Sequence, residues 1–116
     1  MSAAATISPL DVAAAQLAAY NVQDLDAHCA WFADDIVVAD LNGEVTMSGI
    51  AAYRDKYRQV FLQFPHNHAE LVNRIVVGNR VIDHERVKRS PDAEPFEVAA
   101  IYTIADGKIA RVDFVK

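Results

Sequence analysis

The sequence predicts an α+β domain in which three helices pack on one face of an antiparallel sheet. Apolar residues recur at helical spacing in three segments of the first half of the chain. Four long runs rich in β-branched residues follow in the second half, separated by turn residues. Helices segregated from an antiparallel sheet in this way are typical of the α+β class. The 116 residues amount to one domain, which we expect over residues 1–116.

Each predicted helix has a recognisable start. Ser8 is an N-cap residue with a proline behind it at the first helical position, and the helix it begins runs to about Tyr20. Asp24 can cap a short second helix, and a third helix opens at Gly49 and is closed by Pro65. Apolar residues recur on one side of each segment, so all three helices are expected to pack on the sheet.

Two-residue turns join most of the predicted strands. Asn42-Gly43 connects a short strand over residues 36–40 to a return strand over residues 44–47. Four longer strands are predicted over residues 69–77, 80–89, 96–104 and 108–116, with turns at Gly78-Asn79 and Asp106-Gly107. The order is therefore two helices, a short hairpin, a third helix and four antiparallel strands.

Composition and charge exclude several classes of partner. The net charge is −5 at pH 7 and no cluster of Lys and Arg stands out, so neither nucleic acid nor an anionic membrane is expected as the main partner. No apolar segment approaches the roughly 20 residues of a membrane span. Residues 1–10 lack the basic start and apolar run of a leader. The single Cys29 cannot form an internal disulfide, and the cytoplasm is the expected compartment.

Several motifs along the chain carry a family resemblance. They are Asp24-Leu25-Asp26, the run from Trp31 to Asp35, Asp40, the segment from Gly49 to Tyr57, and Asp106-Gly107-Lys108-Ile109. Together they resemble the ketosteroid isomerase and SnoaL-like branch of the nuclear transport factor 2-like superfamily. The resemblance covers nearly the whole chain. It implies a cone-shaped fold in which helices and a curved sheet enclose a pocket, and the fold hosts several enzyme activities as well as binding modules.

Asp40 is the leading candidate for chemistry. Its spacing after Asp34-Asp35 and before Gly49 matches the general-base aspartate of the bacterial ketosteroid isomerases. Alternation along its strand places it on the same face as Val38. Partial desolvation there would raise the pKa of the carboxyl toward that of a useful proton acceptor. The alternative is an ordinary aspartate that flanks a turn.

The two oxyanion donors of that family have no equivalent in this sequence. Their tyrosine on the first helix corresponds to Gln16, and their protonated aspartic acid corresponds to Ala100. Gln16 could still donate one hydrogen bond to a carbonyl oxygen. The resemblance therefore implies a base without its usual acidic partners, and a substrate other than the steroid.

His84 and Arg86 are candidates on the strand predicted over residues 80–89. If Ile82 faces inward, so do His84 and Arg86. If Val81 and Val87 face inward instead, His84 and Arg86 face outward, so the alternation is ambiguous. The resemblance favours His84 inside. An inward His84 could transfer protons or donate to an oxyanion, and otherwise it is bonded within the sheet or at a subunit contact. Arg86 could anchor a carboxylate or phosphate, or form a salt bridge near the rim of the sheet.

Aromatic side chains are the predicted wall of the pocket. Tyr20, Tyr57 and Tyr102 each suit a pocket wall that ends in a hydroxyl group, with core packing as the alternative. Trp31 belongs to the core or to the same wall. The expected ligand is a small hydrophobic molecule.

Two hypotheses for function follow. The first is a cofactor-independent enzyme in which Asp40 removes a proton next to a carbonyl group and His84, Gln16 or a tyrosine stabilises the enolate. The second is a binding module or dimerising accessory domain that uses the same cavity without turnover. Isomerisation, dehydration and cyclisation share the first step, so the sequence does not choose among them.

Cofactors and partners are also constrained by the sequence. No cofactor is expected, and no metal, because the spaced pair His66 and His68 has no third ligand nearby. A homodimer is expected with either hypothesis, because in the resembling family the outer face of the sheet pairs with a second copy. The apolar residues predicted on that face are Val77, Val81, Val87 and Ile101.

Overall fold

The structure, a computed structural model, describes residues 7–116. Its elements are α1 (Pro9–Asn21), α2 (Leu25–Cys29), β1 (Phe32–Asp40), β2 (Val45–Ser48), α3 (Ile50–Gln63), β3 (His68–Val77), β4 (Arg80–Lys88), β5 (Phe96–Ala105) and β6 (Lys108–Val115). Three helices on one six-stranded sheet make the α+β class that the sequence predicts. Within residues 7–116, no helix is long and apolar enough to cross a membrane. The prediction that residues 1–10 carry no leader falls partly on residues 1–6, outside the described residues.

The six strands form one open sheet in the order β2-β1-β6-β5-β4-β3. Neighbouring strands run antiparallel except for β1 and β6, which pair in parallel and match Val38 with Val112 and Asp40 with Phe114. The prediction of a wholly antiparallel sheet is therefore wrong at this pair. The first and last strands are not joined by a tight turn, so nothing in their connection requires opposite directions.

The predicted helix starts are confirmed by their caps. The Ser8 hydroxyl accepts a hydrogen bond from the Asp11 amide, and the Asp24 carboxylate accepts one from the Ala27 amide, both at 3.1 Å. Each cap satisfies an amide that has no partner inside its own helix. Gly49 precedes α3 with a φ of 90°, a backbone conformation in which a residue with a Cβ atom would be strained. Local sequence thus fixes where the helices begin.

β1 begins at Phe32, earlier than the predicted start at residue 36. The Ile109 amide donates a hydrogen bond to the Trp31 carbonyl at 2.8 Å, and Phe32 pairs with Ile109. The last strand therefore draws these residues into the sheet. This contact joins distant parts of the chain, so no local pattern reveals it.

β4 decides which polar side chains enter the interior. Its buried residues are Val81, Asp83, Glu85 and Val87. The prediction that His84 and Arg86 face inward is therefore wrong, and so is the placement of the two valines on the outer face. A shift of the strand by one residue would expose both valines, which are only 0% and 5% exposed, and this loss fixes the register.

A buried ion pair neutralises the charge of the carboxylate at position 83. Asp83 is fully buried, and Arg74 lies directly opposite it on β3. The Arg74 guanidinium donates Nε to Oδ1 at 2.6 Å and Nη2 to Oδ2 at 2.9 Å. This bidentate geometry is the strongest form of a carboxylate–guanidinium contact. The side chain of Arg74 is itself only 13% exposed.

We expect Arg74→Met to destabilise the fold by about 3–5 kcal/mol, because it leaves the buried Asp83 without its partner. Arg54→Met is the matched control, since the ion pair of Arg54 with Asp26 is largely exposed. That control should lose no more than about 1 kcal/mol. Urea unfolding of both variants at pH 7 measures the difference, and similar losses in the two would contradict the role given to the buried pair.

Candidate functional site

A cavity of about 210 Å³ lies between helices α1 and α3 and the inner face of the sheet. Its base is lined by the buried residues Gln16, Tyr53, Glu85, Tyr102 and Val112. Its mouth is lined by the partly or fully exposed residues Lys56, Arg89, Phe96 and Lys116. Aliphatic side chains, among them Leu17, Val60, Val87 and Val98, form the walls between. The cavity therefore combines aliphatic walls with polar groups both at its buried base and at its exposed mouth.

Glu85 is the buried acid of this cavity. It is 7% exposed, and its Oε2 atom has no hydrogen-bond partner among the described residues. Burial raises the pKa of the Glu85 carboxyl to about 7, and the charge of Asp83 adds to the rise, whereas Arg74 and the Tyr102 hydroxyl oppose it. The carboxyl can therefore be either protonated or ionised near neutral pH.

Gln16 holds Tyr102 in place at the base of the cavity. The Gln16 amide nitrogen donates to the Ala13 carbonyl and to the Tyr102 hydroxyl, both at 3.1 Å. Both amide hydrogens are then in use, so none is left for a substrate. Burial, with the charge of Glu85 next in size, raises the pKa of Tyr102 well above its usual value. Its phenol therefore stays protonated, and its hydrogen can be donated to Glu85 or to a ligand.

His28 supports the cavity from behind. Its Nδ1 atom lies 2.9 Å from the Gln16 carbonyl oxygen and its Nε2 atom 2.8 Å from the Tyr53 hydroxyl. A carbonyl only accepts, so Nδ1 carries the proton and Nε2 accepts from Tyr53. Burial lowers the pKa of His28 to about 4, against the effect of the bond to Gln16, so the ring is neutral at physiological pH. The ring packs 4.9 to 5.7 Å from the rings of Tyr20, Phe32, Tyr53 and Tyr57.

Arg89 is a fixed cation at the mouth of the cavity. Its guanidinium lies 5.3 Å from the ring centre of Phe64 and 5.0 Å from that of Phe96. Its Nη1 atom donates to Asn67 at 3.0 Å, and the Asn67 amide donates to the Tyr20 hydroxyl at 2.6 Å. The guanidinium is thus held by two aromatic faces and one hydrogen bond.

Asp40 lies in a groove that adjoins the cavity and shares Tyr57 and Phe114 with its wall. The residue ends β1, and its carbonyl accepts a hydrogen bond from the Gly43 amide at 2.8 Å. Val38 lines the same groove, as the predicted alternation requires. The Asp40 side chain is exposed, however, so the desolvation expected of it is absent.

The predicted site residues other than Asp40 fall into three groups. Those that line the cavity are Gln16, Tyr20, Tyr57 and Tyr102. His84 and Arg86 point away from it on the outer face of the sheet. His84 Nε2 lies 2.5 Å from Oε1 of Glu97, and Arg86 Nη1 lies 3.5 Å from Oε1 of Glu70. Trp31 packs against the core instead of the cavity.

The sequence does not single out Glu85, Arg89 or His28. A signal exists for the first two, because the alternation set by Val81 and Val87 places residues 85 and 89 on the same inner side. His28 is different, since its burial depends on how α2 packs against α1 and α3. Across the described range, no group of three or more His, Cys, Asp and Glu side chains is arranged to hold a metal ion.

The fold is that of a nuclear transport factor 2-like domain, and a match to known proteins identifies the family. The sequence matches the SnoaL-like domain family over residues 13–112. The chain therefore belongs to the SnoaL-like domain family, and the predicted fold is confirmed. No curated protein matches the chain.

Solved structures similar to this chain come from several bacteria. An uncharacterized cystatin-fold protein from Novosphingobium aromaticivorans is 36% identical, with a TM-score of 0.88 and coverage of 96% of this chain and 100% of that one. A proposed polyketide cyclase from Sinorhizobium meliloti is 26% identical, with a TM-score of 0.76 and coverage of 94% and 100%. A proposed ketosteroid isomerase from Kribbella flavida shares the fold at 16% identity, with a TM-score of 0.74 and coverage of 89% and 73%.

The raised pKa of Glu85 predicts a stability that falls with pH. The unfolded chain loses this proton near pH 4.5 and the folded chain at about 7, so the stabilising contribution is complete below pH 4.5 and is lost as pH rises to about 7. Between pH 4.5 and 8, wild type should lose about 3 kcal/mol more unfolding free energy than Glu85→Gln. Urea unfolding across this range is the measurement, with the exposed Glu94→Gln as control. Parallel curves for wild type and Glu85→Gln would contradict the assignment.

Proposed function

We propose that the protein catalyses cofactor-independent proton transfer on a small, mostly apolar carbonyl compound bound in the cavity. The observation that carries the proposal is Glu85, a buried carboxyl with one unpartnered oxygen at the base of an apolar cavity. An ionisable group kept in such a place destabilises the ionised fold above neutral pH. Groups with a perturbed pKa inside a cleft are concentrated at functional sites.

Two carboxyl groups supply the proton chemistry in this proposal. Asp40, exposed in the groove, removes a proton from the carbon next to the carbonyl group. The electrons of that C–H bond form the carbon–carbon double bond of the enolate, and the π electrons of the carbonyl group move onto its oxygen. Protonated Glu85 and the Tyr102 hydroxyl donate hydrogen bonds to the resulting enolate oxygen. Protonated Asp40 then returns the proton to a carbon atom of the substrate. Glu85 and Tyr102 thereby take the part of the donors that Gln16 and Ala100 cannot provide.

The proposal draws support from three directions. The phenol of Tyr102 stays protonated and is held by Gln16 beside the carboxyl of Glu85. The groove with Asp40 and the cavity with Glu85 share the lining residues Tyr57 and Phe114, so the two spaces are neighbours. The assignments proposed for two of the similar structures, a cyclase and an isomerase, fit a reaction that begins with proton removal next to a carbonyl group.

A binding module without turnover is the second candidate, and the exposure of Asp40 favours it. A base in solvent gains nothing from desolvation, which is what makes a carboxylate a better proton acceptor. In that case Glu85 and Tyr102 would serve as hydrogen-bond partners for a ligand.

The buried and unpaired Cys29 gives no reason to expect a disulfide, and we propose the cytoplasm as the compartment for either function.

Proton exchange on a small ketone distinguishes the two candidates. With 2-tetralone in D₂O followed by NMR, Asp40→Asn and Tyr102→Phe should each slow the catalysed exchange by about 100-fold. Asp35→Asn, an exposed carboxylate on the same strand, is the matched control. The wild-type rate should fall as pH rises through about 7, because Glu85 loses the proton that it donates, and Glu85→Gln should remove this fall.

Each contrary result has a distinct meaning. Full activity in Asp40→Asn would remove Asp40 as the base. A rate that rises through pH 7 and is lost in Glu85→Gln would make Glu85 the base instead. A wild-type protein that binds the ketone without exchange would support the binding module.

We also propose that the outer face of the sheet pairs with a second copy of the chain. An apolar row crosses this face where Ile75, Ile82 and Ile101 are cross-strand partners, and Val77 beside it is 66% exposed. Charges of both signs surround the row, with Arg86 next to Glu70. Such a face can be self-complementary about a two-fold axis.

Ile101→Arg should convert the proposed dimer into a monomer, because it places a charge at the centre of the apolar row. Light scattering coupled to size-exclusion chromatography at high protein concentration measures the mass. Leu62→Arg is the control, since Leu62 is 72% exposed on α3, away from this face. A monomeric mass for the wild-type protein at high concentration would contradict the proposed dimer.

A further inference from the structure

The geometry points to a ligand that carries an anionic group at one end of an apolar body. We propose that Arg89 binds this group, a carboxylate, at the mouth of the cavity. The inference rests on the cavity of the proposed function and deepens it by naming the class of ligand. It requires binding only, so it can be tested whether or not turnover occurs.

The distribution of cations in the structure is the first argument. Five arginines are paired with carboxylates within the described residues: Arg54, Arg58, Arg74, Arg86 and Arg111. Six of the 11 Lys and Arg side chains have no such partner there, and three of these six, Lys56, Arg89 and Lys116, line the cavity. The chain as a whole has a net charge of −5. A cavity rimmed by unpaired cations in an acidic protein attracts anions.

The way Arg89 is held is the second argument. Stacking between Phe64 and Phe96 and the hydrogen bond to Asn67 fix the plane of the guanidinium. One of its five N–H donors is given to Asn67, and the Tyr20 hydroxyl is a second hydrogen-bond partner of the guanidinium. The remaining donors can still make a bidentate contact with a planar carboxylate. Because the side chain is already ordered, binding loses little rotamer entropy.

The apolar wall and the volume define the rest of the ligand. Leu17, Val60, Val87 and Val98 line the space between the mouth and Glu85. The cavity of about 210 Å³ is larger than the cavities of about 150 Å³ that enclose benzene, and smaller than the roughly 300–1,000 Å³ of sites for drug-sized ligands. A body of one or two rings therefore fits.

A monoanion suits this site better than a phosphate dianion. Glu85 lies at the base of the same cavity and can itself be ionised near neutral pH, so every additional negative charge on the ligand adds repulsion. A carboxylate at the mouth places its single charge against Arg89, and the apolar body of the ligand separates that charge from Glu85. An aryl phosphate is therefore expected to bind more weakly than the corresponding carboxylate.

Calorimetric titration with matched pairs of probes tests the proposal on the whole chain. Benzoate, cinnamate and 2-naphthoate are each compared with their neutral amides at pH 7 and low salt, and naphthyl phosphate serves as the dianion. At least one carboxylate should bind about tenfold more tightly than its amide, as a charge-assisted hydrogen bond implies. Arg89→Gln should remove this preference and leave binding of the amide unchanged.

The controls keep a folding defect apart from a loss of recognition. Arg86→Gln removes a cation on the other face of the sheet and should change nothing. Arg89→Lys keeps the positive charge but lacks the paired N–H donors of the guanidinium, so it should retain part of the preference for carboxylate over amide. Far-UV circular dichroism and binding of the amide report whether Arg89→Gln is folded. If it is not folded, binding to Arg89→Lys and the salt dependence of wild-type binding decide whether Arg89 recognises the carboxylate.

The proposal is overturned if no carboxylate binds more tightly than its amide, or if Arg86→Gln weakens carboxylate binding as much as Arg89→Gln does. It is also overturned if naphthyl phosphate binds more tightly than every carboxylate. Tetralone exchange without any carboxylate preference would leave the proposed function standing and remove only the anion. Carboxylate binding that depends on Arg89, in a protein that does not catalyse tetralone exchange, would support the anion site and remove the proposed catalysis.

Discussion

The register of β4 is the constraint on which the interior of this protein depends. Burial of Val81 and Val87 fixes which side of the strand faces the helices, and two carboxyl groups come inside with them. Arg74 neutralises one of these groups, Asp83, through a bidentate ion pair. The other, Glu85, has no cation of its own and faces an apolar cavity. One strand thus produces both a structural ion pair and a buried carboxyl with an unpartnered oxygen.

The base of the cavity is organised by hydrogen bonds that leave a few groups free. Gln16 gives its amide hydrogens to Ala13 and Tyr102, and His28 links the backbone of Gln16 to Tyr53. These residues are satisfied and act as supports. The Tyr102 hydroxyl and Glu85 keep the capacity to donate to a ligand at the base of the cavity. A cavity of this kind orients a ligand by very few contacts.

The opposite end of the cavity carries the opposite charge. Arg89 is stacked between Phe64 and Phe96 at the mouth, while Glu85 lies at the base. An elongated ligand would therefore be held at both ends, with its direction set by charge. The groove that contains Asp40 opens to one side of this axis, past the shared wall of Tyr57 and Phe114.

The sequence by itself determined the α+β class, the helix caps at Ser8 and Asp24, the turns and the family, because these follow from local patterns and motif spacing. Only the tertiary structure decided the parallel pairing of β1 with β6, and the inner face of β4. Both sides of β4 carry apolar as well as charged residues, so the choice between Glu85 and His84 depends on the helices that cover the strand and on Arg74 from its neighbour. Long-range packing settles such a choice, and no local pattern contains it.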